Sequence, residues 1–488
     1  MVRLWHKKDD TFWVPKVSLQ FTLKFPGAGI SPIQQAKAWF IRYLLDDMLT
    51  EQIYGAQLAG LKYKFLVAVE GFKVEVEGYH DKANVLLEKV LTTLKNFKVD
   101  PERFQSVKDQ LFKDFQNTDK KVAYVQSDFW MDYLNKEVMW SYPEQSAELD
   151  PITPRDCEAF VKDLLERLFV EGLIHGNMDR HQALEACRIV EEVLGPRPVT
   201  SSERIKKSRS RILPQGLQAV YARVNTDATN ANSAIQYHLQ VETFSFDKQD
   251  QQQKETRALT QVLGQILTEP CFNQLRTLEQ LGYVVVGGVR EDTGTMGIKI
   301  VVQSERDPIY LEHRIEHFLR GRLQDLLDNM SQEELNKQID SLAVKKLERN
   351  KNLKDEATKY WTVINAGSFE FDQAQNDVDE MRKVTVEKLR EFFAKWIHPD
   401  SDYVKKLSVH IRSQRLPAQE DEFLAVTGGA KKVAVKDKEE EEEDEEEKPV
   451  RLCEGTVFVK DEAEFKSKLE LSRAPLPVVD LVQRYYKE

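Results

Sequence analysis

The chain has 488 residues, of which 41% are hydrophobic and 31% are charged, and its formal net charge is −11. This length predicts more than one domain, and the hydrophobic fraction is sufficient for buried cores. The composition argues against a membrane-spanning protein, because no apolar run approaches the ~18 residues of a transmembrane helix, and it gives no sign of nucleic-acid binding.

An acidic run, "EEEEEDEEE" at 439–447, supplies nine of the negative charges, and without it the chain is at −2. The body of the protein is thus nearly neutral. Such a block repels itself, so we expect a disordered, solvated segment. A docking tail for a basic partner is the alternative.

The four cysteines are scattered along the chain and form no C-x-x-C pair: Cys157, Cys187, Cys271 and Cys453. This distribution predicts reduced thiols, not a disulfide framework or a zinc ribbon. The N-terminal stretch "MVRLWHKKDDTFWVPK" lacks the apolar region of a secretory signal. We therefore expect an intracellular, cytoplasmic protein.

The first half of the chain predicts strands around one long helix, followed by shorter helices. The strands are "VSLQFTLKF", "YKFLVAVE", "KVEVEGY" and "FVEGLIHGN", in which apolar residues alternate or cluster. The long helix is expected over 32–58, with Ser31 as its N-cap and Pro32 in the first turn. Further helices are expected near 81–97, 101–116 and in "RHQALEACRIVEEVLG".

The second half repeats this order after the basic stretch "SSERIKKSRSRILPQG". Strands "QAVYARV" and "SAIQYHLQVE" precede a long helix expected over 251–279, and strands "YVVVGGVRE" and "MGIKIVVQSE" follow it. Several helices come next, and the repeat ends in the strand "KKLSVHIRS". The same order of elements in both halves predicts two copies of one α+β unit.

The predicted fold class is therefore α+β, with two homologous domains. Each domain is expected to be an antiparallel-rich sheet with helices packed on one face. The domains are placed at 1–208 and 209–420, followed by a disordered acidic insertion over 421–450. The last segment, 451–488, is expected to pack back onto the second domain.

The stretch "LEHRIEHF" contains His313, Glu316 and His317 in the H-x-x-E-H spacing of one class of zinc peptidase. Two histidines four residues apart can share a helix face and bind zinc. The helix, however, has an apolar stripe on roughly the opposite side, with Glu316 at its edge: Leu311, Ile315, Phe318, Leu319 and Leu326. We therefore expect a solvated helix face here, and a catalytic zinc site is the alternative.

The segment "ILTEPCFNQLRTLEQLGYVVVGGVRE", 266–291, resembles the last domain of the insulinase (pitrilysin) family of zinc metallopeptidases. The resemblance continues in order through "LWHKKDDTFWVPK", "YGAQLAGLKY", "GLIHGN", "ATKYW" and "EFKSKL". Members are built from four homologous α+β domains in two halves that close around a chamber. The resemblance implies the C-terminal half-clamshell, with 1–208 as the third or middle domain and 209–420 as an inactive fourth domain.

In that family the zinc helix is the first long helix of the first domain. The helices that correspond to it here, 32–58 and 251–279, contain no histidine. The resemblance therefore implies no metal on this chain, and Zn²⁺ is expected on a missing N-terminal half. The chain alone is then expected to be inactive.

The family pattern R-T-x-E-Q-L-G-Y matches Arg276 and Tyr283. The resemblance implies that both are catalytic residues, which hold the substrate backbone and stabilise a developing oxyanion. Phe272 matches an aromatic residue that lines the pocket beside the cleaved bond. Without the resemblance, Arg276 would be a cation that complements a helix dipole, and Tyr283 an ordinary strand aromatic.

A basic patch in "KKLERNKNLK" matches a family site for ATP or other polyanions, and its cations are Lys345, Lys346, Arg349, Lys351 and Lys354. Clustered cations focus a positive potential that attracts anions. Asn352 replaces one lysine of the pattern. A solvated basic loop is the alternative.

The resemblance implies the zinc-free, substrate-binding C-terminal half of a metalloendopeptidase that cleaves small peptides. Its expected partners are peptide substrates and a zinc-bearing N-terminal half, with a homodimer and ATP or another polyanion as further expectations. Neither nucleic acid nor membrane is expected as a partner. The alternatives are a non-catalytic peptide-binding scaffold and a self-sufficient zinc peptidase that uses 313–317.

Overall fold

The computed structural model describes residues 2–118, 120–195, 197–199, 208–243, 251–416, 452 and 455–473. The chain forms two compact units that interleave along the sequence. Unit 1 comprises Met1–Thr118, Val138–Ser208 and Arg349–Phe371; unit 2 comprises Asp119–Glu137, Arg209–Glu348 and Asp372–Glu488. The predicted domain ranges of 1–208 and 209–420 stay a proposal, since each unit includes a segment from the other range.

Unit 1 contains a six-stranded sheet of β1 (Val2–Lys8), β2 (Lys16–Lys24), β3 (Lys62–Ala68), β4 (Gly71–Tyr79), β5 (Arg167–Gly176) and β6 (Arg197–Pro198). The strand order is β1-β5-β2-β4-β3, and β6 pairs with β5. β1 and β6 run parallel to β5, and the other neighbours are antiparallel. The sheet is therefore mostly antiparallel, as predicted.

The helices of unit 1 are α1 (Pro32–Leu58), α2 (Ala83–Lys95), α3 (Pro101–Thr118), α5 (Tyr142–Ala147), α6 (Pro154–Glu166), α7 (Arg180–Leu194) and α12 (Leu353–Ala366). The predicted start of α1 is confirmed, because the Ser31 side chain accepts a hydrogen bond from the Gln34 amide and Pro32 is the first helical residue. The core includes Phe40 and Leu44 of α1 and Phe21 of β2.

Unit 2 contains the corresponding sheet of β8 (Gln218–Val224), β9 (Ser233–Thr243), β10 (Val284–Asp292), β11 (Thr295–Ser304), β12 (Lys406–Arg412) and β13 (Val457–Phe458). Its order is β10-β11-β9-β12-β8-β13. β12 is parallel to β8 and antiparallel to β9, as β5 is to β1 and β2. The two sheets thus share one topology, and the predicted fold of two homologous α+β domains is confirmed.

The helices of unit 2 are α4 (Ala123–Asn135), α8 (Gln251–Phe272), α9 (Pro308–Phe318), α10 (Gln324–Asn329), α11 (Gln332–Lys346), α13 (Gln373–Met381), α14 (Val386–Trp396) and α15 (Glu462–Lys468). A short strand pair, β7 (Arg211–Ile212) and β14 (Glu470–Leu471), lies outside the main sheet. The core is formed by Tyr237 and Leu239 of β9 with Val262 and Ile266 of α8.

Each sheet also has a helix on its second face, and this helix comes from the other half of the sequence. In unit 1, α12 packs on β2 and β5; in unit 2, α4 packs on β9 and β12. His175 of β5 is fully buried there, with its Nε2 2.9 Å from a carboxylate oxygen of Glu356 on α12. The amphipathic pattern of each helix predicted a buried face but not the sheet that buries it.

Three cysteines lie in the described residues, and none of these three forms a disulfide: Cys157, Cys187 and Cys271. Burial raises the pKa of the Cys157 and Cys271 thiols to about 12. Such thiols are unreactive at neutral pH. Cys453 and the acidic run at 439–447 lie outside the described residues. Within the described part, no helix is long and apolar enough to cross a membrane.

Candidate functional site

The candidate site forms where α8 ends. Pro270 lies inside the last turn of α8, and a π-helical turn, Asn273–Leu278, continues the helix. Proline removes a backbone donor and disturbs the hydrogen-bond ladder, and π turns occur often at functional sites. Leu275 and Cys271 are fully buried in the core. They fix the turn, so that Phe272 and Arg276 project from its other side.

A tight connection then leads from the π turn into β10. The Leu281 amide donates to the Leu275 carbonyl at 3.0 Å, and Gln280 adopts a left-handed φ of 50°. Gly282 packs directly against β11, since a Cβ on it would lie 1.9 Å from the Gln303 carbonyl oxygen. Only glycine fits this approach, so Gly282 determines where the next residue, Tyr283, is placed.

The structure brings Phe272, Arg276 and Tyr283 together. The Arg276 Cζ lies 4.9 Å from the centre of the Phe272 ring and 4.7 Å from that of Tyr283. Phe272 is 42% exposed and Tyr283 is 81% exposed. The guanidinium has no carboxylate partner among the described residues. It is thus held by two aromatic rings with its donors open to a ligand.

One neighbouring acid supports this arrangement, and the sequence reasoning did not single it out. Glu279 accepts two hydrogen bonds from Arg314 of α9, at 2.7 and 2.8 Å. Burial would raise the pKa of this carboxyl, but Arg314 and Gln274 lower it. Because Arg314 holds Glu279, the acid does not neutralise Arg276. Its place in the R-T-x-E-Q-L-G-Y pattern was the signal that could have identified it.

The H-x-x-E-H residues on α9 do not fit a zinc ion. His313 and His317 are exposed, as predicted, but Glu316 is only 5% exposed and points into the unit. The buried face of α9 is therefore wider than its apolar stripe, and the expected solvated face includes the two histidines but not Glu316. Within the described residues, no group of three or more His, Cys, Asp or Glu side chains could hold a metal.

Glu316 belongs instead to a buried charge cluster of α9 and β12, formed by Glu312, Glu316, Lys406 and His410. The Lys406 ammonium lies 2.6 Å from Glu312 and 3.0 Å from Glu316, and the His410 Nε2 lies 2.7 Å from Glu312. Lys406 and His410 are fully buried. Lys406 thus neutralises the two carboxylates inside the unit and His410 contacts one of them, so we assign this cluster a structural role.

The five predicted anion-binding cations fall in different units. Lys345 and Lys346 belong to unit 2, where Lys345 donates to Gln265 and Lys346 pairs with Asp377 at 3.1 Å. Arg349, Lys351 and Lys354 belong to unit 1. There Lys354 pairs with Glu77 at 3.0 Å. Lys346 and Lys354 thus have carboxylate partners, and the polyanion site stays a prediction.

Two models of known families match the sequence. The middle or third domain of peptidase M16 matches residues 1–148. The C-terminal lobe domain 4 of proteins like the PQQ synthase PqqF matches residues 262–361. The second match contains the whole candidate site, from Phe272 to Tyr283.

Curated relatives include insulin-degrading enzymes. The human enzyme is 32% identical over 85% of this chain, and the match covers 40% of that protein. The Drosophila melanogaster enzyme is 31% identical over 99% of this chain and 46% of its own length. The chain therefore spans less than half the length of these relatives.

Solved structures share the fold. The crystal structure of pitrilysin superimposes with a TM-score of 0.79 at 20% identity, covering 96% of this chain and 45% of that one. A peptidase M16 inactive domain from Pseudomonas fluorescens superimposes with a TM-score of 0.60 at 12% identity, covering 84% of this chain and 95% of that one.

Proposed function

We propose that this chain, which belongs to the insulinase family of peptidases, is a substrate-binding half of a metalloendopeptidase. It would bind an unfolded or small peptide and present one peptide bond to a zinc centre on a separate N-terminal half. The proposal extends the family assignment to a specific role. That role rests on the side chains at the end of α8.

The observation that supports the proposal is the contact of the Arg276 guanidinium with the rings of both Phe272 and Tyr283. A guanidinium is a rigid fork of donors, and the phenol adds a single directed donor. Both suit a peptide carbonyl oxygen that acquires negative charge during hydrolysis. Phe272 offers an exposed apolar ring for the side chain next to that carbonyl.

In this proposal, the metal chemistry belongs to the N-terminal half. Glu316 cannot serve as the water-activating base beside His313 and His317, because Lys406 and Arg320 hold its carboxylate. The residues of this chain would bind the peptide, orient it and stabilise charge on its carbonyl oxygen. Cleavage would require the zinc-bearing half.

Binding of a fluorescein-labelled decapeptide, alternating threonine and valine with terminal lysines, tests the proposal by fluorescence anisotropy. We expect Arg276→Lys to weaken binding about tenfold, or ~1.4 kcal/mol, because the fork of donors is lost while the charge stays. Tyr283→Phe should weaken it less, since it removes only the hydroxyl donor and keeps the ring.

Arg155→Ala is the matched control, since Arg155 is an exposed arginine of unit 1. It should leave the affinity unchanged. Equal affinities of the wild type and Arg276→Lys would argue against the assigned role of Arg276. Failure of the wild-type chain to bind the peptide at all would overturn the proposed function.

A further inference from the structure

The outer edge of β10 is free among the described residues. β10 is the last strand of its sheet, and the described strands pair with it only on the β11 side. A strand at the edge of a sheet presents a row of unpaired backbone N–H and C=O groups. These groups can bind another extended chain by adding it to the sheet.

The corresponding strand of unit 1, β3, also lies at the edge of its sheet, but it is protected. Lys62 and Lys64 are exposed on β3, and Lys64 pairs with Glu75 of β4 at 3.3 Å. Charged side chains, lysine above all, are a common means by which proteins block unwanted strand pairing at a free edge. In unit 1, the strand that corresponds to β10 thus has a protected edge.

β10 lacks this protection over most of its length. It starts with three valines and two glycines, and its first charged residue is Arg290. Val286 is 49% exposed, and a Cβ on Gly288 would meet no atom within 4 Å. An apolar edge with open space beside it favours pairing with a further strand. The two repeats therefore differ at this edge.

The strand is also rigidly held, which lowers the cost of binding. β11 pairs with all nine residues of β10, and α8 covers one of its faces. The contact is close: a Cβ on Gly264 of α8 would lie 2.4 Å from a methyl group of Val289, and one on Gly287 would lie 2.6 Å from Leu267. The edge thus has a fixed geometry before any ligand arrives.

β10 begins at the residue that follows Tyr283, so the free edge continues directly from the candidate site. We infer that the outer edge of β10 binds the peptide substrate as an additional strand, and this inference rests on the proposed function. Main-chain hydrogen bonds would hold the peptide along β10 while Arg276 and Tyr283 bind a carbonyl beside its start. The ligand is therefore an extended segment, free of proline and selected mainly by its backbone.

The two faces of the added strand would meet different surroundings. Side chains on one face would lie toward α8, and those on the other toward Val286 and Gly288, where space is open. The open side accepts side chains of many sizes. This predicts broad tolerance of peptide sequence at alternate positions, together with a strict need for backbone donors and acceptors.

The test compares three versions of the labelled threonine–valine decapeptide on the wild-type chain. One is unmodified, one is N-methylated at alternate central residues, and one is N-methylated at all central residues. Methylation at alternate residues blocks one edge and leaves the other free to pair, so its affinity should stay within about threefold. Methylation of both edges should weaken binding at least about tenfold.

Val286→Lys places on β10 an exposed lysine like those of β3. It should weaken binding of the unmodified peptide at least about tenfold. Val85→Lys, at a valine of α2 that is 57% exposed, is the matched control and should not change the affinity. Circular dichroism of both variants verifies the fold.

The outcomes separate the inference from the proposed function. If the unmodified peptide binds, but neither full methylation nor Val286→Lys weakens it, the edge inference is overturned and the proposed function stands. If no peptide binds, both are overturned. If the wild type is a dimer that Val286→Lys dissociates, and peptide does not compete, the edge pairs with a second copy and the peptide assignment is wrong.

Discussion

Single residues decide whether the site is assembled, and Gly282 is the clearest case. We expect Gly282→Ala to reduce peptide binding more than tenfold, because the new methyl group would lie 1.9 Å from the Gln303 carbonyl and would displace Tyr283. The Gln303 backbone cannot move aside as a flexible side chain can. We therefore also expect the free energy of unfolding to decrease by ~1–3 kcal/mol.

Gly321→Ala is the control for this substitution, since a Cβ there would meet no atom within 4 Å. Peptide anisotropy and thermal unfolding measure both effects. An unchanged affinity in Gly282→Ala would mean that this turn does not position Tyr283.

Substitution of Lys406 tests whether the buried charge cluster stabilises the fold. Lys406→Met leaves Glu312 and Glu316 without their shared cation in the interior, which costs ~3–5 kcal/mol in comparable buried pairs. We expect a clear decrease in Tm, partly reversed by adding Glu312→Gln. Lys383→Met, at a lysine that is 62% exposed, should change Tm little. An equal Tm in Lys406→Met and the wild type would contradict the pairing.

The same cluster predicts a pH dependence. Burial alone would raise the pKa of Glu312, but Lys406 and His410 lower it from 4.5 to about 2. A carboxyl whose folded pKa lies below its unfolded pKa adds stability at higher pH, and this is lost as the pH falls through the folded value. We therefore expect the unfolding free energy to decrease between about pH 4.5 and about pH 2.

Urea unfolding followed by tryptophan fluorescence measures this dependence. Glu312→Gln should flatten the decrease at acidic pH, whereas Glu333→Gln, at a side chain that is 80% exposed, should not. Identical slopes for Glu312→Gln and the wild type would show that Glu312 does not titrate as described.

At the scale of elements, local signals predicted the long helices well. Ser31 and Pro32 mark the start of α1, and the structure begins the helix there. The second long helix was expected to run to 279, and the structure divides it at Phe272 into α8 and a π turn. The apolar periodicity continues through Pro270 and did not show the change in helix type that positions Arg276; the proline itself was the signal in the sequence.

The sequence did not predict that α4 and α12 each pack on the sheet formed by the other half of the sequence. Each helix has a buried face, with Trp130 and Leu134 in α4 and Ala357 and Trp361 in α12. Periodicity identifies such a face but contains no information about its partner. The choice of sheet depends on long-range contacts, such as that of His175 with Glu356.

Because α12 comes from the second half of the sequence, we expect that the first half does not fold fully alone. A fragment of residues 1–208 lacks α12 and would expose the second face of its sheet, including His175. We expect it to bind the dye ANS and to melt without a cooperative transition. Fusion of residues 349–371 through a glycine–serine linker should restore cooperative melting. Cooperative melting of the unfused fragment would contradict the assigned role of α12.

At the scale of the whole molecule, the sequence predicted the family and the repeat. It did not predict the contacts of the individual cations in the basic stretch. The spacing of "KKLERNKNLK" suggested one basic patch, but Lys346 and Lys354 have carboxylate partners in different units. A homodimer, the polyanion site and a separate zinc-bearing half stay predictions. Sedimentation with and without ATP tests the first two.

The most direct test of the central claim follows one quenched fluorogenic peptide with the purified chain, with and without added zinc, while zinc content is measured by mass spectrometry. We predict saturable binding, no cleavage, and zinc far below one ion per chain. Stoichiometric zinc with chelator-sensitive cleavage that is lost in His313→Ala would contradict the account, because the residues of 313–317 would then form a working metal site.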